Sequence, residues 1–277
     1  MTVPETTLND GVRIPQLGYG VWRVPNEEVV APVAKALEVG FRHIDTAAAY
    51  GNEAGVGQAI KESGLSRDDV FITSKLWNDA HLKDDARRGI EQTLEFLDTD
   101  HLDLYLIHWP ATVKYGDAYI EAWDSLQQFK SEGLVRSIGV SNFNPDHLDR
   151  LDGATPSVNQ VEVHPSFSRP ELRDEMARRN IVVEAWSPLG NQRDPSDLFL
   201  PEVQDIAEQT GLSPAQVIIR WHLQIGNVVI PKSVTPARIE ENFAAASAAQ
   251  LTDEQVTLLS SLDTGNRQGG DPATADF

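Results

Sequence analysis

The sequence predicts a closed (β/α)8 barrel, an α/β fold of the TIM-barrel type, preceded by an N-terminal β-hairpin. Short apolar runs of strand length alternate along the chain with longer amphipathic stretches of helix length. There are eight such strand candidates, which fits a closed barrel better than an open doubly wound sheet. The chain has 277 residues, and barrels of this kind routinely reach about 250 residues as one domain.

The strand candidates in chain order are "IPQLGYG", "FRHID", "VFITSKLW", "LDLYLIHW", "VRSIGVS", "SVNQVEV", "IVVEAWSPLG" and "NVVIPKS". Most pairs are separated by one segment with apolar residues at three- and four-residue spacing, such as "NEEVVAPVAKALEVG", "DDARRGIEQTLEFL", "DAYIEAWDSLQQFKSEG" and "PELRDEMARRN". This repetition of strand and helix predicts parallel strands joined by right-handed crossovers.

Three segments fall outside the repeat. The opening "TTLNDGVRIP" places an Asn9-Asp10-Gly11 turn between short alternating runs, which predicts the hairpin. Residues 191–201, rich in proline, aspartate and serine, predict a loop before a helix that begins near Pro201. Residues 265–277 predict a mobile tail on a single domain that spans residues 1–277.

Charge and composition narrow the possible ligands. The 42 acidic and 23 basic side chains give a formal net charge of −19, which repels nucleic acid and anionic membranes, so an anionic ligand needs a local basic site. The chain has no cysteine, which excludes disulfides, thiolate metal sites and cysteine nucleophiles. Because no signal-peptide pattern opens the chain and no apolar run approaches roughly 18 residues, we expect a cytoplasmic protein. We also expect a monomer.

Four chemically active side chains lie at or just after predicted strand ends. Asp45 ends the second strand, Lys75 the third and His108 the fourth, while Tyr50 follows the second. Strand ends share one face of a barrel, so we expect these side chains to meet. An ammonium between Asp45 and Tyr50 would stay charged and lower the pKa of the phenol, which makes Tyr50 a general acid. A neutral His108 would orient a carbonyl oxygen that takes this proton as hydride reaches the adjacent carbon.

Six segments resemble, in order, the signature segments of the aldo-keto reductases: "GFRHIDTAAAYGNEAGVGQAI", "ITSKLW", "DLYLIHWP", "SIGVSNF", "NQVEVHP" and "IPKSVTPARIEENF". Within this family the sequence is most similar to the bacterial 2,5-diketo-D-gluconate reductases. The resemblance implies an NADPH-dependent carbonyl reductase on a (β/α)8 barrel, with a catalytic tetrad of Asp45, Tyr50, Lys75 and His108. No G-x-G-x-x-G follows a predicted strand, so the usual Rossmann fingerprint for dinucleotides is absent.

The resemblance also implies where the nicotinamide end of the cofactor binds. The family's carboxamide contacts fall on Ser141, Asn142 and Gln160. The position that stacks on the nicotinamide ring falls on Trp186, where many members carry tyrosine. This tryptophan preserves a flat π-face.

The rest of the cofactor is assigned by the same resemblance. Ser187, Leu189 and Gly190 open the loop that in the family closes over the pyrophosphate. Lys232 and Arg238 would meet the 2′-phosphate beside a helix N-terminus, which also favours an anion. The full adenosine set is Lys232, Ser233, Val234, Arg238, Glu241 and Asn242.

The substrate pocket is expected to be aromatic. Trp22, Trp77 and Trp109 each follow a predicted strand end, so they can line one mouth together with His108. Such walls favour small apolar or aromatic carbonyls, or compact diketones, over long polyhydroxylated aldehydes, because hydroxyls buried without partners each cost on the order of 1 to 3 kcal/mol.

Two other functions stay open on the sequence. One is a cofactor-binding regulatory subunit with little turnover. The other is a metal-assisted barrel hydrolase that uses His43 and Asp45, an H-x-D pair. No further histidine cluster of convincing spacing follows, so no metal is expected. Trp221 and His222, inside the helical "AQVIIRWHLQ", are interpreted as packing residues.

Overall fold

The computed structural model describes residues 3–190 and 196–277. In these residues a hairpin of β1 (Glu5–Thr7) and β2 (Arg13–Pro15) precedes a sheet of eight parallel strands. The eight strands are β3 (Tyr19–Gly20), β4 (His43–Asp45), β5 (Phe71–Leu76), β6 (Leu102–Ile107), β7 (Val135–Ser141), β8 (Val158–Glu162), β9 (Val182–Trp186) and β10 (Val228–Val229).

The sheet closes into a barrel. Its strands follow chain order from β3 to β10, and the two edges join just before β3, where Leu17 pairs in parallel with Val229. The Val229 N–H donates to the carbonyl of Gln16 at 2.8 Å, and the Gly18 N–H donates to the carbonyl of Val229 at 2.9 Å. The predicted (β/α)8 barrel with its hairpin is therefore confirmed.

Helices surround the barrel, and most connections between strands contain at least one. The described α-helices are α1 (Asn26–Val39), α2 (Glu53–Glu62), α3 (Lys83–Leu97), α4 (Thr112–Tyr115), α5 (Ala118–Ser131), α6 (Pro145–Leu148), α7 (Pro170–Arg178), α8 (Pro201–Thr210), α9 (Pro214–Gln224), α10 (Pro236–Ala244) and α11 (Asp253–Ser260). None of the helices within the described ranges is long and apolar enough to cross a membrane.

Helix α9 illustrates how local sequence starts a helix that the core then holds. The Ser213 side chain accepts a hydrogen bond from the Gln216 N–H while the Gln216 side chain accepts from the Ser213 N–H, and Pro214 takes the first helical position. This capping box satisfies two backbone donors that would otherwise have no helical partner. Trp221 and His222 on α9 are fully buried, as predicted.

The floor of the barrel is apolar and is closed by the hairpin. Leu8 and Ile14 are buried in one cluster with Phe71, Val158 and Val228, which begin strands β5, β8 and β10. Barrel interiors are usually filled by branched apolar side chains, and the lower half of this one follows that rule. The polar residues of the candidate site lie above this floor, toward the carboxyl ends of the strands, whereas buried His43 at the start of β4 packs edge-on against Phe71.

Two predicted segments need separate mention. Residues 191–195 of the predicted loop lie outside the described residues, while α8 begins at Pro201 as expected. Residues 265–277 lie against the mouth of the barrel, where the Phe277 carbonyl accepts a hydrogen bond from Asn78 Nδ2 at 2.9 Å. The mobility of this segment stays a prediction.

Candidate active site

A cavity of about 960 Å³ opens at the carboxyl ends of the strands. Every tryptophan expected at the mouth contributes to its wall. Of these, Trp109 is nearly buried, whereas Trp22 is 40% exposed at the rim. The predicted residues that line this part of the cavity are Trp22, Asp45, Tyr50, Trp77, His108 and Trp109.

Lys75 lies beneath the cavity and joins two of these residues. Its Nζ donates to Asp45 Oδ1 at 2.7 Å, to the Thr46 carbonyl at 2.8 Å and to the Tyr50 hydroxyl at 3.3 Å. An ammonium has three hydrogens, and all three are used although the side chain is fully buried. The predicted convergence of Asp45, Tyr50 and Lys75 is what the barrel produces.

The pKa of Lys75 agrees with the expectation from sequence, whereas the pKa of Tyr50 does not. Burial alone would lower the pKa of Lys75, but Asp45 and Tyr50 outweigh burial and raise it, so the ammonium is retained. Burial raises the pKa of Tyr50, and Lys75 only opposes that rise. The expected net lowering of the Tyr50 pKa is therefore wrong. The phenol is half-buried, and the loss of water around a phenolate together with the nearby Asp45 outweighs one neighbouring ammonium.

His108 completes the group as a neutral imidazole. Burial and the nearby Lys75 hold the pKa of His108 well below its usual range. Its ring lies edge-on to Tyr50, with centroids 5.6 Å apart, and to Trp77 at 5.1 Å. Nδ1 has no hydrogen-bond partner within the described part of the chain. A neutral imidazole can donate one hydrogen bond to an oxygen placed beside Tyr50.

The predicted carboxamide contacts lie side by side on the same wall. Ser141 Oγ donates to the Gln160 carbonyl at 2.8 Å. Asn142, at φ +62°, donates to the His108 carbonyl at 3.0 Å and accepts from Trp186 Nε1 at 2.9 Å. Protein partners therefore fix Asn142 and the Trp186 indole in position.

The remaining predicted cofactor residues are spread more widely. Ser187, Leu189 and Lys232 line the cavity. Arg238 is exposed in the first turn of α10. The predicted cofactor residues that do not line the cavity are Gly190, Ser233, Val234, Arg238, Glu241 and Asn242.

Sequence reasoning missed a second carboxyl inside the barrel, Glu184 on β9. It is fully buried, and its Oε2 accepts from Gln160 Nε2 at 2.9 Å. The same nitrogen donates to Asp45 Oδ2 at 2.7 Å. Strand alternation could have found it, because Glu184 lies two residues before Trp186 and so faces the same interior.

A second missed cluster holds the tail. Buried His164 lies between two carboxyls, with Nε2 3.1 Å from Glu162 Oε1 and Nδ1 2.8 Å from Asp197 Oδ2. Glu162 also accepts from the backbone N–H of Gln268 at 2.7 Å and of Gly269 at 2.9 Å. The tail thereby adds Gln268, Gly269, Gly270 and Phe277 to the cavity wall.

The H-x-D pair does not form part of a larger ligand set in the described ranges. No group of three or more His, Cys, Asp or Glu side chains is placed there to hold a metal ion. His43 Nε2 lies 3.0 Å from Thr73 Oγ1, and Nδ1 lies 3.4 Å from the Pro15 carbonyl. Both ring nitrogens therefore have partners inside the barrel.

Comparison with known proteins identifies the family. The model of the Aldo/keto reductase family matches residues 15–264. Methylglyoxal reductase DkgA of Escherichia coli strain K12 is 47% identical over 268 residues, covering 96% of this chain and 95% of the relative.

Two solved structures agree with the sequence matches. The crystal structure of an aldo/keto reductase from Brucella melitensis is 48% identical with a TM-score of 0.90, covering 95% of this chain and 99% of that one. A mutant of Gox0644 in complex with NADPH is 40% identical with a TM-score of 0.93, covering 100% of both chains. Sequence, fold and the arrangement around Lys75 thus lead to one conclusion, that the chain belongs to the aldo/keto reductase family.

Proposed function

We propose that this protein reduces small aldehydes, ketones or diketones to alcohols with NADPH, as a cytoplasmic monomer of one domain. The observation that carries the proposal is the contact of Lys75 with both Asp45 and Tyr50 beneath an aromatic cavity. A buried ammonium that touches a phenol can stabilise the phenolate left behind when Tyr50 gives up its proton.

The residues present fit the proposed cofactor. The cavity wall runs from Gln160 and the Trp186 indole to the cation of Lys232. These supply an amide, a flat ring face and a positive charge for a dinucleotide that carries a carboxamide, an aromatic ring and phosphates. Bound NADPH supplies the hydride, and the related Gox0644 mutant was solved in complex with NADPH. Lys232 and Arg238 are assigned to the 2′-phosphate.

The chain's own residues supply the proton and hold the oxygen. Tyr50 donates its proton to the carbonyl oxygen as the adjacent carbon is reduced, and Lys75 stabilises the charge that develops on the phenolate oxygen. Asp45 keeps Lys75 charged. His108, neutral because of its low pKa, donates a hydrogen bond that orients the oxygen.

The walls favour compact substrates. Trp22, Trp77 and Trp109 give an apolar surface, and the Phe277 ring stacks parallel to Trp77 with centroids 6.2 Å apart. The 47% identical relative DkgA is named a methylglyoxal reductase, and methylglyoxal is a compact dicarbonyl without hydroxyls. We therefore propose methylglyoxal and aryl aldehydes as substrates that are preferred over sugar aldoses.

A carbonyl screen tests this function. Oxidation of NADPH is followed by absorbance with methylglyoxal, an aryl aldehyde, 2,5-diketo-D-gluconate and an aldose, each with and without chelator. We expect chelator-resistant turnover with the first two at a higher kcat/KM than with the aldose. NADPH binding without turnover of any carbonyl would favour the regulatory subunit instead. A higher kcat/KM for the aldose would contradict the proposed substrate class.

A further inference from the structure

Glu184 is a buried acid for which the proposed mechanism has no step. Its side chain is wholly inside the barrel, below the cavity and one strand from Gln160. Oε2 accepts the hydrogen bond from Gln160 Nε2 at 2.9 Å. Oε1 makes no hydrogen bond in the described part of the chain, although it lies 3.5 Å from His43 Nε2. Buried polar groups are normally partnered, so the position needs an explanation.

The neighbouring amide provides one. Gln160 has two amide hydrogens, and they point to Asp45 Oδ2 at 2.7 Å and to Glu184 Oε2 at 2.9 Å. Asp45, paired with the Lys75 ammonium, fixes which end of the amide is nitrogen, because the flipped amide would place its oxygen against a carboxylate oxygen. The Gln160 Oε1 atom has no hydrogen bond within the described ranges, and the residue lines the cavity. This oxygen is free to accept an N–H from a ligand.

We propose that Glu184 is a positioning residue that acts through Gln160: it holds the amide so that Oε1 accepts the carboxamide N–H of the nicotinamide. The inference rests on the proposed function, since it assigns Gln160 to the cofactor. Asp45 alone could hold one amide hydrogen, but the second would then have no acceptor and the amide could rotate. Glu184 therefore connects cofactor binding to the Asp45–Lys75 pair through one side chain.

The surroundings determine the charge of Glu184. Burial and the neighbouring Asp45 raise the pKa of Glu184 to about 8, against the opposing Gln160 and Lys75. Burial lowers the pKa of His43 to about 3, so His43 does not supply a balancing cation. The other titratable group of the cluster is Tyr50, whose pKa Glu184 helps to raise. Below about pH 8 Glu184 is thus a neutral acid when it holds Gln160. Above about pH 8 Glu184 is ionised and adds a second anion beneath Asp45.

Variants of Glu184 test separately its role as a hydrogen-bond acceptor for Gln160 and its titration near pH 8. In Glu184→Leu the second amide hydrogen loses its acceptor, and we expect the NADPH dissociation constant to rise about tenfold, as for one lost hydrogen bond. Glu184→Gln keeps a neutral acceptor and should restore the dissociation constant to within about threefold of the unmodified protein. It should also remove any step near pH 8 from the pH profile of kcat, because residue 184 no longer titrates. Binding is measured by quenching of tryptophan fluorescence, which is independent of turnover.

Two controls isolate the route through Gln160. Glu53→Leu removes another buried carboxyl, one that accepts from Ser74 Oγ and does not contact Gln160; it should change the melting temperature but not the NADPH dissociation constant. In a Gln160→Leu background, Glu184→Leu should have no further effect on that constant, since neighbours acting through one contact are not additive.

The outcomes are distinct from those of the proposed function. If the unmodified protein neither binds NADPH nor reduces a carbonyl, the proposed function fails. If it does both and folded Glu184→Leu binds NADPH as tightly as the unmodified protein, the positioning role is overturned. Full additivity of Glu184→Leu and Gln160→Leu would overturn it as well, because Glu184 would then act by another route.

Discussion

The two ends of the proposed cofactor site differ in how they hold charge. At the nicotinamide end Lys75 is fully buried, and every hydrogen of its ammonium has a protein partner. At the adenosine end Lys232 and Arg238 are exposed. The buried charge is part of the folded core, whereas the exposed charges remain hydrated until an anion binds. Mutation of the buried Lys75 should therefore affect both stability and chemistry, and mutation of the exposed cations only affinity.

Lys75→Met tests the buried end and should have the largest effect. It removes the charge that stabilises the phenolate and leaves Asp45 without its cation, so we expect turnover to fall by about 10²-fold to 10⁴-fold. Breaking a buried pair on one side typically costs about 3–5 kcal/mol of unfolding free energy. Steady-state kinetics and urea denaturation measure the two effects. If the folded fraction turned over at the normal rate, Lys75 would be structural only.

Tyr50→Phe should separate chemistry from stability at the same end. The variant loses the proton donor but keeps the ring, so turnover should fall by about 10²-fold or more. NADPH binding should stay nearly unchanged, because the phenol is assigned to the substrate oxygen. Fluorescence quenching and absorbance kinetics on one preparation check both statements. Ordinary turnover in this variant would refute the assignment of Tyr50 as the general acid.

Arg238→Ala tests the exposed end, where a smaller and more selective effect is expected. Losing a charge-assisted contact to the 2′-phosphate should weaken NADPH by about tenfold. NADH, which lacks that phosphate, should bind almost as before. Arg88→Ala, which removes an exposed arginine paired with Asp85, is the matched control and should change neither. Equal weakening of both cofactors would mean that Arg238 supports the adenine or the helix.

His164 offers the smallest effect and extends the comparison to a third charged site. Burial alone would lower the pKa of His164, but Asp197 and Glu162 outweigh it and raise it. A histidine whose pKa is raised by folding stabilises the folded state. This contribution is fully present below the pKa of the unfolded state, about 6.5, and is lost as the pH rises through the pKa of the folded state.

As the pH rises above 6.5, we expect the melting temperature of the unmodified protein to fall further than that of His164→Asn, by a few degrees. Scanning calorimetry of both proteins across pH 5–9 measures the difference. Parallel curves would show that His164 does not exchange a proton on unfolding. Comparing the two proteins is necessary because Glu184, with its raised pKa, also lowers stability as pH rises.

Most of the barrel and the group around Lys75 could be predicted because both depend on local patterns. Eight strand-length runs define the sheet, and strand ends bring Asp45, Lys75 and His108 to one face. The sign of the Tyr50 pKa shift could not be predicted, because it depends on how deeply the phenol is buried. The contact of Glu162 with the tail joins residues more than a hundred positions apart, which no local pattern encodes.

The position of Glu184 could be predicted from the sequence, but its hydrogen-bond partner could not. Its spacing from Trp186 placed it in the barrel interior, but its partner Gln160 is on the neighbouring strand. The pairing is set by sheet register, in which Gln160 lies opposite Glu184. A search for polar residues two positions before each predicted site residue would have identified Glu184 as a candidate.

The hairpin floor determines from which end of the barrel ligands can enter and leave. Leu8 and Ile14 pack across the lower end, and within the described residues the cavity opens at the carboxyl ends of the strands. A ligand at Gln160, which is 2% exposed, sits deeper than one held at the rim by Trp22. A product that leaves the rim slowly would therefore delay the nicotinamide end of the spent cofactor in leaving Gln160, and so slow each following turnover.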